Sequence, residues 1–112
     1  MAGMIHGNYF RVFRSEWYDK KLKKLTPSEQ QIVSTFEQRL KLDPFSGKPL
    51  GYPFFREKKF DGKRILFLVY AEHLAVFLVT ITDKKMQQQV INIIRSQLTE
   101  YRETIERLMK QT

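Results

Sequence analysis

Residues 55–89 read FREKKFDGKRILFLVYAEHLAVFLVTITDKKMQQQ, and this stretch decides the fold. A short basic segment, about Phe54 to Phe60, turns at Asp61-Gly62, a pair favoured in tight hairpins. Beyond it, Lys63 to Ala71 and Ala75 to Thr82 are rich in β-branched and aromatic residues, and the short AEHL segment joins them as a hairpin. Both strands are apolar on both faces, which predicts central strands covered by helices. The second empties into Lys84-Lys85. Cations are thereby expected at neighbouring edges of one small sheet, an arrangement that suits an anionic partner.

Upstream, Tyr9 to Arg14 (YFRVFR) alternates aromatic or branched residues with arginine and reads as a first strand. Ser15 can cap a short helix from about Glu16 to Leu25. Thr26-Pro27-Ser28-Glu29 is a strong helix start: a capping threonine, proline at the first helical position and glutamate to complete a capping box. The helix it opens should bury Ile32, Val33, Phe36 and Leu40 and stop at Asp43-Pro44. Phe45 to Pro53, rich in Gly and Pro, reads as a loop. From Met86 to about Met109 the apolar residues Ile91, Ile94, Leu98, Tyr101, Ile105 and Leu108 recur every three or four positions, the pattern of one long amphipathic helix. That helix either docks along its whole length or overhangs and offers a seam to a partner helix or a second copy of the chain. The expected order is β-α-α-β-β-β-α: an α+β fold with a four-stranded, mainly antiparallel sheet packed by a helical hairpin, and a long C-terminal helix over residues 86–112.

With 112 residues the chain makes one domain, 1–112, in which Met1 to Asn8 reads as a loose lead-in without the charge and apolar run of a signal peptide. The absence of cysteine excludes disulfides, thiolate catalysis and cysteine-based zinc sites, and is compatible with a reducing cytosol, so a cytoplasmic location is expected. No apolar run approaches a membrane span. The net charge of +8 points to nucleic acid or another polyanion, though small basic proteins also bind acidic proteins. Gly-rich phosphate loops, HExxH and nucleophile elbows are missing, and His6 and His73 are isolated, which leaves no metal site.

What remains is a cation cluster. Arg56 and Lys58 alternate onto one face of the basic strand, Lys59, Lys63 and Arg64 follow around the turn, and Lys84 and Lys85 close the last strand. It can be a solvated edge that discourages aggregation. Sequence physics alone slightly favours that edge; the functional reading is a surface that binds and cleaves RNA, in which arginine matches phosphate oxygens and stabilises phosphorane charge, and a lysine serves as acid or base where neighbouring cations lower its pKa.

The chain resembles the RelE/ParE superfamily of small toxins from toxin–antitoxin pairs. The resemblance spans roughly Phe10 to Ile94 and rests on element order with KKLKKL, LDPFSGKPL, FREKKFDGKRILFLVY and VTITDKK in combination. The REKK…KR…DKKMQQQVI version is similar to an archaeal-type RelE-like branch. It implies a ribosome-associated, metal-independent mRNA endoribonuclease without cofactor, whose partners are the ribosome, mRNA and an antitoxin. By position it implies catalytic roles for Arg64, Lys58, Arg56 and Lys85, with Lys58 as proton acceptor and Arg64 and Lys85 stabilising the transition state. It further implies RNA contacts from Lys59, Lys63 and Lys84, and a partner surface or homodimer contact through Ile94, Leu98, Tyr101, Ile105 and Leu108. Ile91 stands where the family has a tyrosine. That departure leaves two alternatives open: a ParE-like toxin that inhibits DNA gyrase, or a non-catalytic interaction member.

Overall fold

Asp61 and Gly62 both have positive φ, +46° and +73°, and form a two-residue turn that fixes the register of the sheet. Across it β3 (Phe55–Phe60) pairs antiparallel with β4 (Lys63–Tyr70), Phe60 opposite Lys63 and Lys59 opposite Arg64. β4 returns through a short 3-10 turn into antiparallel β5 (Ala75–Asp83). β1 (Arg11–Arg14) lies parallel to β5 on one edge, and β2 (Lys48–Tyr52) pairs with β3 on the other. The computed structural model describes residues 9–111; the expected lead-in, with His6, lies outside the described residues.

The sheet has five strands in the order β1-β5-β4-β3-β2, where four were expected. The additional strand, β2, falls in the stretch read as a loop. Its Pro49 and Gly51 look like strand breakers, but β2 is an edge strand with a register shift, the setting in which a sheet tolerates them. Gly47, just before it, has φ +78°, and a β-carbon there would lie 2.2 Å from the Glu57 carbonyl oxygen, so only glycine fits.

Two helical layers sandwich the sheet. On one face lie α1 (Glu16–Leu22), capped by Ser15, and α2 (Pro27–Leu40), whose capping box is complete: Glu29 N–H donates to Thr26 Oγ1 and Thr26 N–H to Glu29 Oε1. Their core joins Tyr18, Val33, Phe36 and Leu40 to Ile65, Phe67, Val69, Val76 and Leu78. The Tyr18 hydroxyl donates to Glu37 at 2.6 Å, and Arg14 holds the other carboxylate oxygen at 2.7 Å, tying β1, α1 and α2 together.

On the opposite face lie α3 (Gln87–Ser96) and α4 (Leu98–Lys110). One long helix was expected; the structure divides it at Gln97, with φ −121° and ψ 18°. A straight helix over 24 residues would run about 36 Å, whereas an eight-residue strand spans about 26 Å. The bend keeps both halves on the sheet. Ile94 and Ile105 are fully buried against Leu66, Leu68 and Phe77, with Leu98, Tyr101 and Leu108 packed beside them. The apolar stripe thus faces the sheet, and these five side chains form no outward seam. Among the described residues no helix is long and apolar enough to cross a membrane.

Candidate functional site

Strand alternation separates the predicted cations. Arg56 and Lys58 share the face of Phe60, which packs on α1 and α2; Glu57, Lys59 and Arg64 share the face of Phe55, Leu66 and Leu68, which packs on α3 and α4.

On the first face the cations are engaged locally. Arg56 donates to the carbonyls of Ser46 at 2.9 Å, Pro53 at 2.8 Å and Gly47 at 3.2 Å, stitching the loop before β2 to β3. Lys58 Nζ sits 5.8 Å from the centre of the Phe36 ring. Lys63 donates to Glu29 Oε2 at 2.8 Å, which lowers the Glu29 carboxyl below its ordinary range and raises the lysine, hydrogen bonding being the main cause for both. Lys84 and Lys85 are exposed in the turn between β5 and α3, which Asp83 braces by accepting the Met86 N–H at 2.9 Å.

Arg64 is different. Only 7% exposed, it donates from Nη1 to the Gly62 carbonyl at 3.1 Å, and its buried Nε has no partner. It makes no ion pair among the described residues. Lys59 lies opposite it on β3 and Thr82 opposite it on β5. Two residues further along, Thr80 is fully buried with its hydroxyl also unpartnered. Glu57, 2% exposed, accepts a hydrogen bond from Gln87 in the first turn of α3. Glu57, Lys59, Arg64, Thr80, Thr82 and Gln87 therefore make one polar end to an otherwise apolar face.

A buried guanidinium with an unused N–H and no carboxylate is costly unless an anion completes it. The arrangement can bind a phosphate through Arg64 and Lys59, and its carboxylate can accept a proton. Glu57 and Gln87 were not singled out from the sequence, although the Asp61-Gly62 turn already sets Glu57 two residues from Lys59 on the Arg64 side.

Ile91, at the position where a tyrosine was expected, is buried in the core against the sheet. Tyr101 packs against Phe77 with the rings tilted by 55° and 5.7 Å between their centres, and donates to Gln97. Phe77 pairs with Leu68, four residues from Arg64 along β4, which is about 13 Å of strand. Tyr70 is buried beneath Arg102, 5.1 Å away.

No known family profile matches the chain, and no curated protein matches it. Solved structures do. The chain is similar to the toxin of the intact Escherichia coli RelBE toxin–antitoxin complex, at 22% identity over 67% of this chain and 95% of that one, with a TM-score of 0.60. It is similar to RelBE2 from Mycobacterium tuberculosis, at 22% identity over 68% and 99% of the two chains, TM-score 0.60. A double mutant of E. coli RelE in the free state matches 77% of this chain and 98% of its own at 17% identity, TM-score 0.65. The fold is that of the RelE toxins.

Proposed function

We propose that this RelE-fold chain is the toxin of a toxin–antitoxin pair and acts as a ribosome-associated endoribonuclease on mRNA. The observation that carries the reading is Arg64: a buried guanidinium with an unpartnered Nε, across from Lys59 and on the face that also holds Glu57. In cleavage by the substrate's own 2′-hydroxyl, Arg64 offers its fork to the equatorial phosphate oxygens, where charge grows as the phosphorane forms. Lys59 and Lys85 are the cations suited to assist it. Glu57 suits the role of proton acceptor better than Lys58, because it shares the Arg64 face whereas Lys58 lies over Phe36. Arg56 serves the loop carbonyls, and Lys63 serves Glu29.

The test is primer-extension mapping of mRNA on programmed ribosomes. Arg64→Ala is expected to lower cleavage about 100- to 1000-fold. Glu57→Gln is expected to lower it strongly and Lys58→Met little; the reverse pattern would return the acceptor role to Lys58. The burial of Ile91 favours a second reading, a non-nuclease toxin acting on a protein such as DNA gyrase. Inhibition of supercoiling by a folded protein that leaves ribosome-bound mRNA intact would select it.

A further inference from the structure

Trp17, the only tryptophan of the chain, reaches from α1 across the edge of the sheet to pack with the cluster on the α3 side. β1 accompanies β5 only as far as Arg14 opposite Leu78, whereas β5 runs on to Asp83. Past that point α1 and α3 flank the sheet edge and leave a trough of about 340 Å3. One wall carries Trp17, Lys21 and Lys24; the other carries Met86, Val90 and Ile93. Both sets are spaced i, i+4, i+7: Trp17 and Lys21 stand on α1 with Lys24 in the turn after it, and Val90 and Ile93 stand on α3 with Met86 at its N-cap, so each wall is about 10 Å long. Met86 is 40% and Ile93 39% exposed, which opens the apolar wall to solvent. Lys21 and Lys24 make no ion pair among the described residues, while Lys63, also on the rim, is taken by Glu29.

We propose that this trough is the docking site for an amphipathic helix of a partner protein, apolar on the face it inserts and acidic along the flank that meets Lys21 and Lys24. Two walls of matched length, each built on one helix and its flanking turn, receive a third helix through anchors at i, i+4 and i+7. The charge selects the occupant: a second copy of this chain would bring another +8 to a lysine-rimmed surface, and a nucleic acid would meet Met86, Val90 and Ile93 where it needs cations. The site rests on the reading of this chain as one that binds a protein antitoxin, but it is independent of RNA cleavage.

Trp17 reports occupancy directly. A synthetic helical peptide with leucine at i, i+4 and i+7 and glutamate on its flanks is titrated into the full chain while tryptophan emission is followed. The expected result is a saturable blue shift, weakened about tenfold or more by Ile93→Glu and by the double variant Lys21→Glu/Lys24→Glu, and absent when lysine flanks the same leucines. Circular dichroism of each variant establishes that it is folded. No saturable change, an equal response to the lysine-flanked peptide, a shift produced by raising protein concentration alone, or a response only to a single-stranded RNA oligonucleotide would each overturn the proposal. Arg64→Ala is expected to bind the peptide normally, so this result and the cleavage result are read separately.

Discussion

Glu29 serves three groups at once: it accepts from the Thr26 N–H, its backbone donates to the Thr26 hydroxyl, and its second oxygen receives Lys63 from β4. A helix cap is thus also the fastening between α2 and the sheet. The Glu29 carboxyl is lowered in the folded state, so its contribution is present above the unfolded value of about 4.3 and is lost as pH falls through the folded value. Lys63 is raised, so its contribution holds below about 10.4 and is lost as pH rises through the folded value. Lys63→Met should therefore lower the urea midpoint at pH 7, and the gap to the parent should narrow as pH falls through the folded Glu29 value. A gap that does not narrow on acidification would assign the effect to packing. At the same scale, Tyr18→Phe removes the hydroxyl that reaches Glu37, and the expected cost is about 1–2 kcal/mol by urea denaturation. The Thr26–Glu29 box was legible in the sequence because capping is local. The Glu29–Lys63 link was not, because it joins residues 34 positions apart.

At the scale of elements, what the sequence revealed depended on periodicity. β4 and β5 were evident as strands buried on both faces, and the Asp61-Gly62 turn fixed their neighbour β3. β2 escaped because proline and glycine mark both loops and edge strands. The break at Gln97 escaped because nothing local forces it; the length of the sheet does. Face assignment was within reach: counting outward from the turn puts Glu57 with Arg64 and leaves Arg56 and Lys58 on the reverse side. α4 is held by buried Ile105, by Tyr101 on Phe77 and by Arg102 on Glu72. Ile105→Ala should cost about 2–5 kcal/mol. Hydrogen exchange would then show α4 opening before β4 and β5. Equal loss of protection in all three would mean that α4 and the sheet unfold as one unit.

For the molecule as a whole, charge and burial are arranged in opposition. The chain carries +8, yet among the described residues the one cation with unmet hydrogen-bonding capacity in the interior is Arg64, while the lysines of α1 and of the β5–α3 turn ring the outside. If the partner is ribosomal RNA, affinity should fall linearly on a log–log plot against salt with a slope set by the phosphates engaged. Lys84→Ala/Lys85→Ala should reduce that slope by about one to two, measured by filter binding between 50 and 200 mM salt. An unchanged slope would remove these lysines from the contact.

The layered order of the chain also has a consequence in time. β1, α1, α2 and the whole sheet are synthesised before α3 and α4. At about 5–20 residues per second, the 27 positions from Lys84 to the end of α4 at Lys110 take roughly 1–5 s to be added. During that interval the face carrying Leu66, Leu68, Tyr70 and Phe77 is bare, and so is Arg64. Each newly made molecule therefore passes through a stage in which its apolar surface is sticky, and α3 and α4 cover that surface when they fold onto it.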